Sequence, residues 1–244
     1  MRVLLLGTGG YHPNERRHTA CVMLPELGVV LDAGTAAFRI PAHVETGELD
    51  IYLTHAHLDH IVGLTYLIAL EHEGAPVKSA VHARPEVLAA VKEHLFSEPL
   101  FPVCPIDRFE ALSETHTLRA GGTLKTFALN HPGGSIGMRI DAQDKSLAYV
   151  TDTTALAPES IEAIRGVDLL IHEAYFPDAS GDWPEKTGHT TARNAARAAK
   201  QAGAKRLVLV HADPKRADNS IELAEAREEF PTAEYGEDGL EIRL

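Results

Sequence analysis

The chain reads as an α/β protein in which two stacked sheets carry helices on their outer faces. Two observations predict this. Short apolar runs suited to strands come in two batches, and each batch is followed by helical patterns. No Gly-, Pro- or Ser-rich linker separates the batches, so one domain over residues 1–244 is expected.

The first batch comprises Arg2–Leu6, Thr19–Leu24, Gly28–Asp32 and Leu49–Thr54, punctuated by Gly and Pro. Ile61–Leu70 has the length and apolar content of a helix, and Val77–His82 reads as a further strand. Pro85 suits the first turn of a helix running to about Leu95, because its missing N–H would be unbonded there anyway. Pro99, Pro102 and Pro105 then stiffen a loop. Phe96 and Phe101 could line a pocket wall there, or simply plug the surface.

The second batch is Thr115–Leu118, Thr123–Leu129, Ser135–Ile140 and Ser146–Val150. A helix over Pro158–Ile164 leads to the strand Val167–Ile171. The polar loop Pro177–Thr187 precedes a helix from Thr190 or Thr191 to Ala202, closed by Gly203. Lys205–Val210 is a buried strand, Ile221–Glu229 a helix and Leu240–Leu244 a terminal strand.

Composition removes several function classes. Lys and Arg total 23 against 35 Asp and Glu, a net charge of -12 that argues against nucleic acid or an anionic membrane as partner. The opening apolar run is too short for a signal peptide or a span, and nothing approaches eighteen consecutive apolar residues. Cys21 and Cys104 form no CxxC pattern or disulfide framework. The cytoplasm is the expected compartment.

Function concentrates in Thr54-His55-Ala56-His57-Leu58-Asp59-His60. Three imidazoles and a carboxylate on a strand-to-helix turn form a nitrogen- and oxygen-rich donor set that suits zinc, with manganese or iron possible. His131, Asp152 and His211 each stand just beyond an apolar run, where a loop can aim them at a shared rim. The simplest allocation gives His55, His57 and His131 to one divalent ion and Asp59, His60 and His211 to another, with Asp152 bridging. A hydroxide between two ions roughly 3.5–4 Å apart would be the nucleophile.

This arrangement resembles the metallo-beta-lactamase fold superfamily, whose HxHxDH signature stands here as His55-Ala56-His57-Leu58-Asp59-His60. The later ligands match as Asn130-His131-Pro132-Gly133-Gly134, Thr151-Asp152-Thr153 and Val210-His211-Ala212-Asp213-Pro214. The resemblance implies a four-layer αββα sandwich and a dinuclear hydrolytic site. A dimer is suggested by resemblance only. His172-Glu173-Ala174 followed by Gly188-His189-Thr190-Thr191 is similar to the phosphodiesterase branch, which includes ribonuclease Z and cyclic-phosphate diesterases. That branch implies a catalytic role for His189 facing the scissile phosphate, beside Asp59 and Asp152.

Departures from ribonuclease Z weigh against pre-tRNA. There is no long basic, Gly- and Pro-rich insertion that could grip tRNA. Ala212-Asp213-Pro214-Lys215-Arg216 replaces the usual Ser and Arg-Tyr pair, and Ala148 stands where a supporting carboxylate is usual. Glu173 or another residue would then orient His189. Asp32, and possible companions His172 and Glu173, are expected to support the ligands through hydrogen bonds. Arg16, Arg17 or His18 would meet an anionic substrate or lie on the surface. Lys205, Arg206, Lys215 and Arg216 would guide substrate or simply be solvated.

The expected activity is therefore hydrolysis of a small or modest phosphodiester. The alternatives are a lactone, thioester or lactam hydrolase, and a metal-dependent binding or sensing protein without turnover.

Overall fold

The computed structural model describes residues 1–72 and 77–244. Among them, one sheet comprises β1 (Arg2–Gly7), β2 (Cys21–Leu24), β3 (Val29–Leu31), β4 (Glu48–Tyr52), β5 (Lys78–Ala83) and β6 (Arg108–Ala111), with β14 (Leu240–Arg243) outside β1. The other comprises β7 (Thr115–Thr117), β8 (Thr123–Leu129), β9 (Ser135–Ala142), β10 (Lys145–Val150), β11 (Leu169–Glu173), β12 (Leu207–Val210) and β13 (Glu234–Tyr235), adjacent in that order. The terminal strand thus returns to the first sheet and pairs antiparallel with β1.

Alternation along the apolar strands shows why they stack as layers. Val3 and Leu5 of β1 join one buried cluster, while Leu4 and Leu6 join another. In β11 and β12, Leu169, Ile171, Val208 and Val210 share the cluster of Val3 and Leu5. Leu170, Leu207 and Leu209 enter a third cluster under the helices. A strand covered on both faces needs a continuous apolar run, because successive side chains point to opposite layers. The result is the αββα order.

The outer helices are α1 (Leu58–Ile61), α2 (Ala69–His72), α3 (Pro85–Ala90), α4 (Pro158–Ala163), α5 (Trp183–Thr187), α6 (Ala192–Ala202) and α7 (Ser220–Glu229). Helix α6 buries Ala192, Ala195, Ala196, Ala199 and Ala202, a small-residue stripe at helical spacing that lets its axis lie close to the sheet. Its outer Arg197 and Lys200 both pair with Glu229 of α7.

The structure departs from the expected elements in several places, among them the short strand β13, which was not expected. The helix expected over Ile61–Leu70 starts earlier, at Leu58, and is broken by 3-10 turns over Val62–Ile68. Gly63 explains the break: its N–H donates to Ala33 O (2.8 Å), while a Cβ there would lie 2.0 Å from Gly34 O. Thr35–His43 forms 3-10 turns where no element was expected. The polar loop Pro177–Thr187 contains α5. Strand β6 was missed because its half-exposed, charged sequence shows no apolar run. No described helix is long and apolar enough to cross a membrane. Cys21 is buried, Cys104 is exposed, and both are free.

Candidate metal centre

The sheets deliver their loop residues to one rim. His55 and His57 follow β4, Asp59 and His60 lie in the first turn of α1, and His131, Asp152 and His211 follow β8, β10 and β12. Helix α1 starts directly after His57, so Asp59 and His60 are set by helical geometry.

Seven donors expected from sequence converge as two groups. In the first, His131 Nε2 is 3.2 Å from His57 Nδ1, and both His131 Nε2 and His55 Nε2 are 3.6 Å from Asp152 Oδ2. In the second, His60 Nε2 is 3.3 Å from His211 Nε2. Those two nitrogens lie 3.1 and 3.2 Å from Asp152 Oδ1, and 3.5 and 3.4 Å from Asp59 Oδ2. The groups are therefore His55, His57, His131 and Asp152, and Asp59, His60, Asp152 and His211. Asp152 offers one carboxylate oxygen to each.

The surrounding hydrogen bonds fix which imidazole nitrogen faces the centre. His60 Nδ1 donates to Asp32 Oδ2 (2.8 Å) and His131 Nδ1 to the Gly188 carbonyl (2.8 Å), which turns both Nε2 lone pairs inward. Asp32 also accepts from Thr54 N, Thr54 Oγ1 and Tyr149 Oη. The expected support of the histidine cluster by Asp32 is therefore present. Asp32 and His211 both adopt positive φ, at 57° and 59°, a strained state for non-glycine residues that the bonds around them hold in place.

Charge is concentrated and buried. Burial works against a proton on His60, yet Asp152, Asp59 and Asp32 hold its imidazole well above the ordinary value. Burial pushes His55 well below its ordinary value, and neighbouring His60 adds to that. Burial opposes ionisation of Asp152, but the His211, His60 and His55 rings hold it well below the usual carboxylate range. His55 Nε2 is buried with no hydrogen-bond partner. An inward-facing imidazole without a partner, between nitrogen and carboxylate donors, fits a divalent cation better than a proton network.

A cavity of about 360 Å³ opens over these groups, lined also by Tyr11, Tyr175, Phe176, His189 and Lys215. His189 sits just before α6, whose N-cap is Thr191, accepting from Asn194 N. Its Nδ1 lies 3.1 Å from Glu173 Oε1. Burial would lower its pKa, but the Glu173 carboxylate raises it to about 9. Thus Glu173 orients His189, whereas His172 Nδ1 bonds the Glu173 carbonyl and its ring is buried away from the ligands.

Several smaller expectations resolve away from a substrate role, and for Arg17 away from the expected surface position as well. Arg17 is buried, pairs with Glu237 (2.8 Å) and does not reach the cavity. Arg16 also pairs with Glu237, and His18 Nδ1 faces Thr35 Oγ1. Lys205, Arg206 and Arg216 pair with Asp168, Glu234 and Glu222, leaving Lys215 alone of that group on the cavity. Phe96 packs against the outer core beside Phe101, and neither lines the cavity. Its aromatic wall comes instead from Tyr11, Tyr175 and Phe176, which sequence reasoning passed over. Tyr175 carried a signal: it stands two residues beyond Glu173, on the same side of an extended chain.

The sequence pattern of the Beta-lactamase superfamily domain matches residues 28–212. The chain belongs to this family. Its similarity to a ribonuclease Z of Gemmatimonas aurantiaca is 25% identity, covering 99% of this chain and 95% of the relative. That alignment spans 303 positions against a chain of 244 residues, so the relative has stretches without a counterpart here. The crystal structure of the metallo-beta-lactamase fold protein YhfI from Bacillus subtilis superposes with a TM-score of 0.81 at 21% identity, covering 99% of both chains. The short form of human tRNase Z gives 0.78 at 22% identity, covering 100% of this chain and 99% of that one. These likenesses agree with the αββα fold. The two donor groups on this fold are those of a dinuclear metal-dependent hydrolase.

Proposed function

We propose that the protein is a metal-dependent phosphodiesterase acting on a small or modest phosphodiester. The carrying observation is the His189–Glu173 pair, 3.1 Å apart, on the cavity over the two groups that share Asp152. His55, His57 and His131 would hold one ion and Asp59, His60 and His211 the other, with Asp152 a donor in both groups. Zinc suits these donors best, with manganese or iron admissible. When bound, the two cations supply an activated water and positive charge for phosphoryl oxygens.

The chain's own groups do the rest. Glu173 accepts from His189 Nδ1, which leaves Nε2 as the nitrogen available to the substrate. A protonated His189 there donates to the departing ester oxygen, and the Glu173 carboxylate stabilises that charged ring. Asp59 is held in place by the Tyr11 N–H, which donates to its Oδ2 at 2.8 Å. Lys215 sets a cation at the cavity rim and forms no ion pair with any described residue.

Pre-tRNA is not the proposed substrate. The net charge of -12 and the relative's unmatched stretches both favour a smaller ester. A cytoplasmic setting accords with the two free cysteines.

The test compares purified protein loaded with zinc or manganese on an aryl phosphodiester, 2′,3′-cyclic nucleotides, a lactone and a thioester. The expected result is metal-dependent preference for phosphodiesters, lost in His189→Ala while both metal ions remain. Preference for the lactone or thioester would overturn the phosphodiesterase assignment.

A further inference from the structure

Tyr11 combines three features that do not ordinarily coincide. The residue is 66% exposed, it lines the cavity, and its backbone lies in the left-handed region at φ 62°. A bulky residue rarely adopts that conformation unless its surroundings impose it.

The surroundings do impose it. Ala212 N donates to Thr8 O and Gly10 N to Ala212 O, both at 3.0 Å, which ties the loop to the end of β12. At Gly10 a Cβ would lie 2.5 Å from His211 Cε1, so the backbone rests on the ligand's ring. The Tyr11 N–H is spent on Asp59, and His12 N bonds back to Gly10 O (2.8 Å). These main-chain contacts fix the loop, while the side chain, touching His12 edge-on at a centroid distance of 5.1 Å, keeps a face toward the cavity.

Other residues lining the cavity are also aromatic. Tyr175 stacks on His189, with centroids 5.0 Å apart and an interplanar angle of 20°, and lies edge-on to Phe176 at 4.9 Å. A strained, exposed phenol ring facing a cavity with aromatic walls has a chemical use if a flat group enters beside the scissile phosphate. Apolar burial alone would not need the ring held by backbone strain.

We infer that Tyr11 is a specificity-determining residue that stacks on a planar aromatic substituent of the substrate ester. The inference deepens the phosphodiesterase reading and rests on its placement of the phosphoryl group at the metal centre. A cavity of about 360 Å³ has room for an aryl group or a single nucleobase beside the phosphoryl group.

Equilibrium binding tests this without turnover. Zinc-loaded protein is titrated calorimetrically with methyl, cyclohexyl and phenyl phosphate and with thymidine 5′-monophosphate. Phenyl phosphate should bind about tenfold more tightly than cyclohexyl phosphate, equivalent to about 1.4 kcal/mol. Tyr11→Phe should retain that ratio. Tyr11→Asn, a residue at home in the left-handed region, should bring it close to one, with an unchanged thermal midpoint showing that the fold persists. A thymidine monophosphate affinity above that of phenyl phosphate would identify the flat group as a nucleobase, and an affinity equal to it a plain aryl group.

Equal affinities for phenyl and cyclohexyl phosphate in the wild type, or an undiminished ratio in Tyr11→Asn, would overturn the inference. Because monoester binding needs no cleavage, those results are separable from failure of the phosphodiesterase reading, which the substrate panel decides.

Discussion

Glu173 takes a hydrogen bond from the Thr153 N–H at 2.7 Å through the same oxygen, Oε1, that faces His189 Nδ1 at 3.1 Å. One carboxylate oxygen therefore links the proposed proton donor to the residue next to Asp152. Replacing Glu173 with Gln keeps an acceptor for Thr153 but removes the charge that stabilises a protonated His189. Turnover on an aryl phosphodiester should fall about 10²-fold or more, with two equivalents of zinc retained by elemental analysis. Loss of metal would show that Glu173 acts on the centre itself.

Asp152 offers an oxygen to each donor group. Asp152→Ala should therefore lower bound metal below two equivalents and reduce turnover to background. Full retention of both ions would refute the bridging role.

Asp32 touches no proposed ion, yet it binds the outward nitrogen of His60 and both polar groups of Thr54. Asp32→Ala should weaken zinc affinity by about 10–100-fold, measured by competition with a chelator. An unchanged affinity would mean that packing alone orients His60.

An ion cluster away from the centre, with Asp50 and His82 buried and Arg119 half exposed, should set an acid limit on stability. Burial would raise the Asp50 carboxyl, but hydrogen bonds from His82 (2.9 Å) and Arg119 (2.9 and 3.1 Å) hold it well below the usual range. A depressed carboxylate stabilises the fold fully above its unfolded value, near pH 4, and the contribution disappears as pH falls through the folded value. Asp50→Asn should cost about 3 kcal/mol at pH 7, and its urea midpoint should fall less steeply than the wild type's below pH 4. Parallel pH profiles would exclude Asp50 as the acid-sensitive group.

The candidate metal ligands were legible because their chemistry is encoded by residue type at fixed spacing. A strand end followed by His55, His57, Asp59 and His60 leaves few geometries other than a shared centre. The strands were legible for a related reason: burial on both faces demands continuous apolar runs such as Leu207–Val210. Strand β6 and the 3-10 segment over Thr35–His43 were not, because edge position and tertiary contact shape them more than local pattern does. The helix after His60 was recognised but not its break, which depends on Gly63 meeting a segment some thirty residues earlier.

The sequence by itself determined the two-sheet layering and pointed to the seven candidate donors, since strand periodicity and residue type can be read along the chain; their meeting as two groups that share Asp152 was decided by the tertiary structure. Only the tertiary structure decided that Glu173, rather than a residue elsewhere, faces His189. It also decided that Arg16 and Arg17 are consumed by Glu237, and that Tyr11 stands exposed over the centre. Each of those outcomes depends on which way a side chain leaves its backbone and what it meets there. Those contacts join residues up to about 220 positions apart, as in Arg17 with Glu237, beyond the reach of any local pattern.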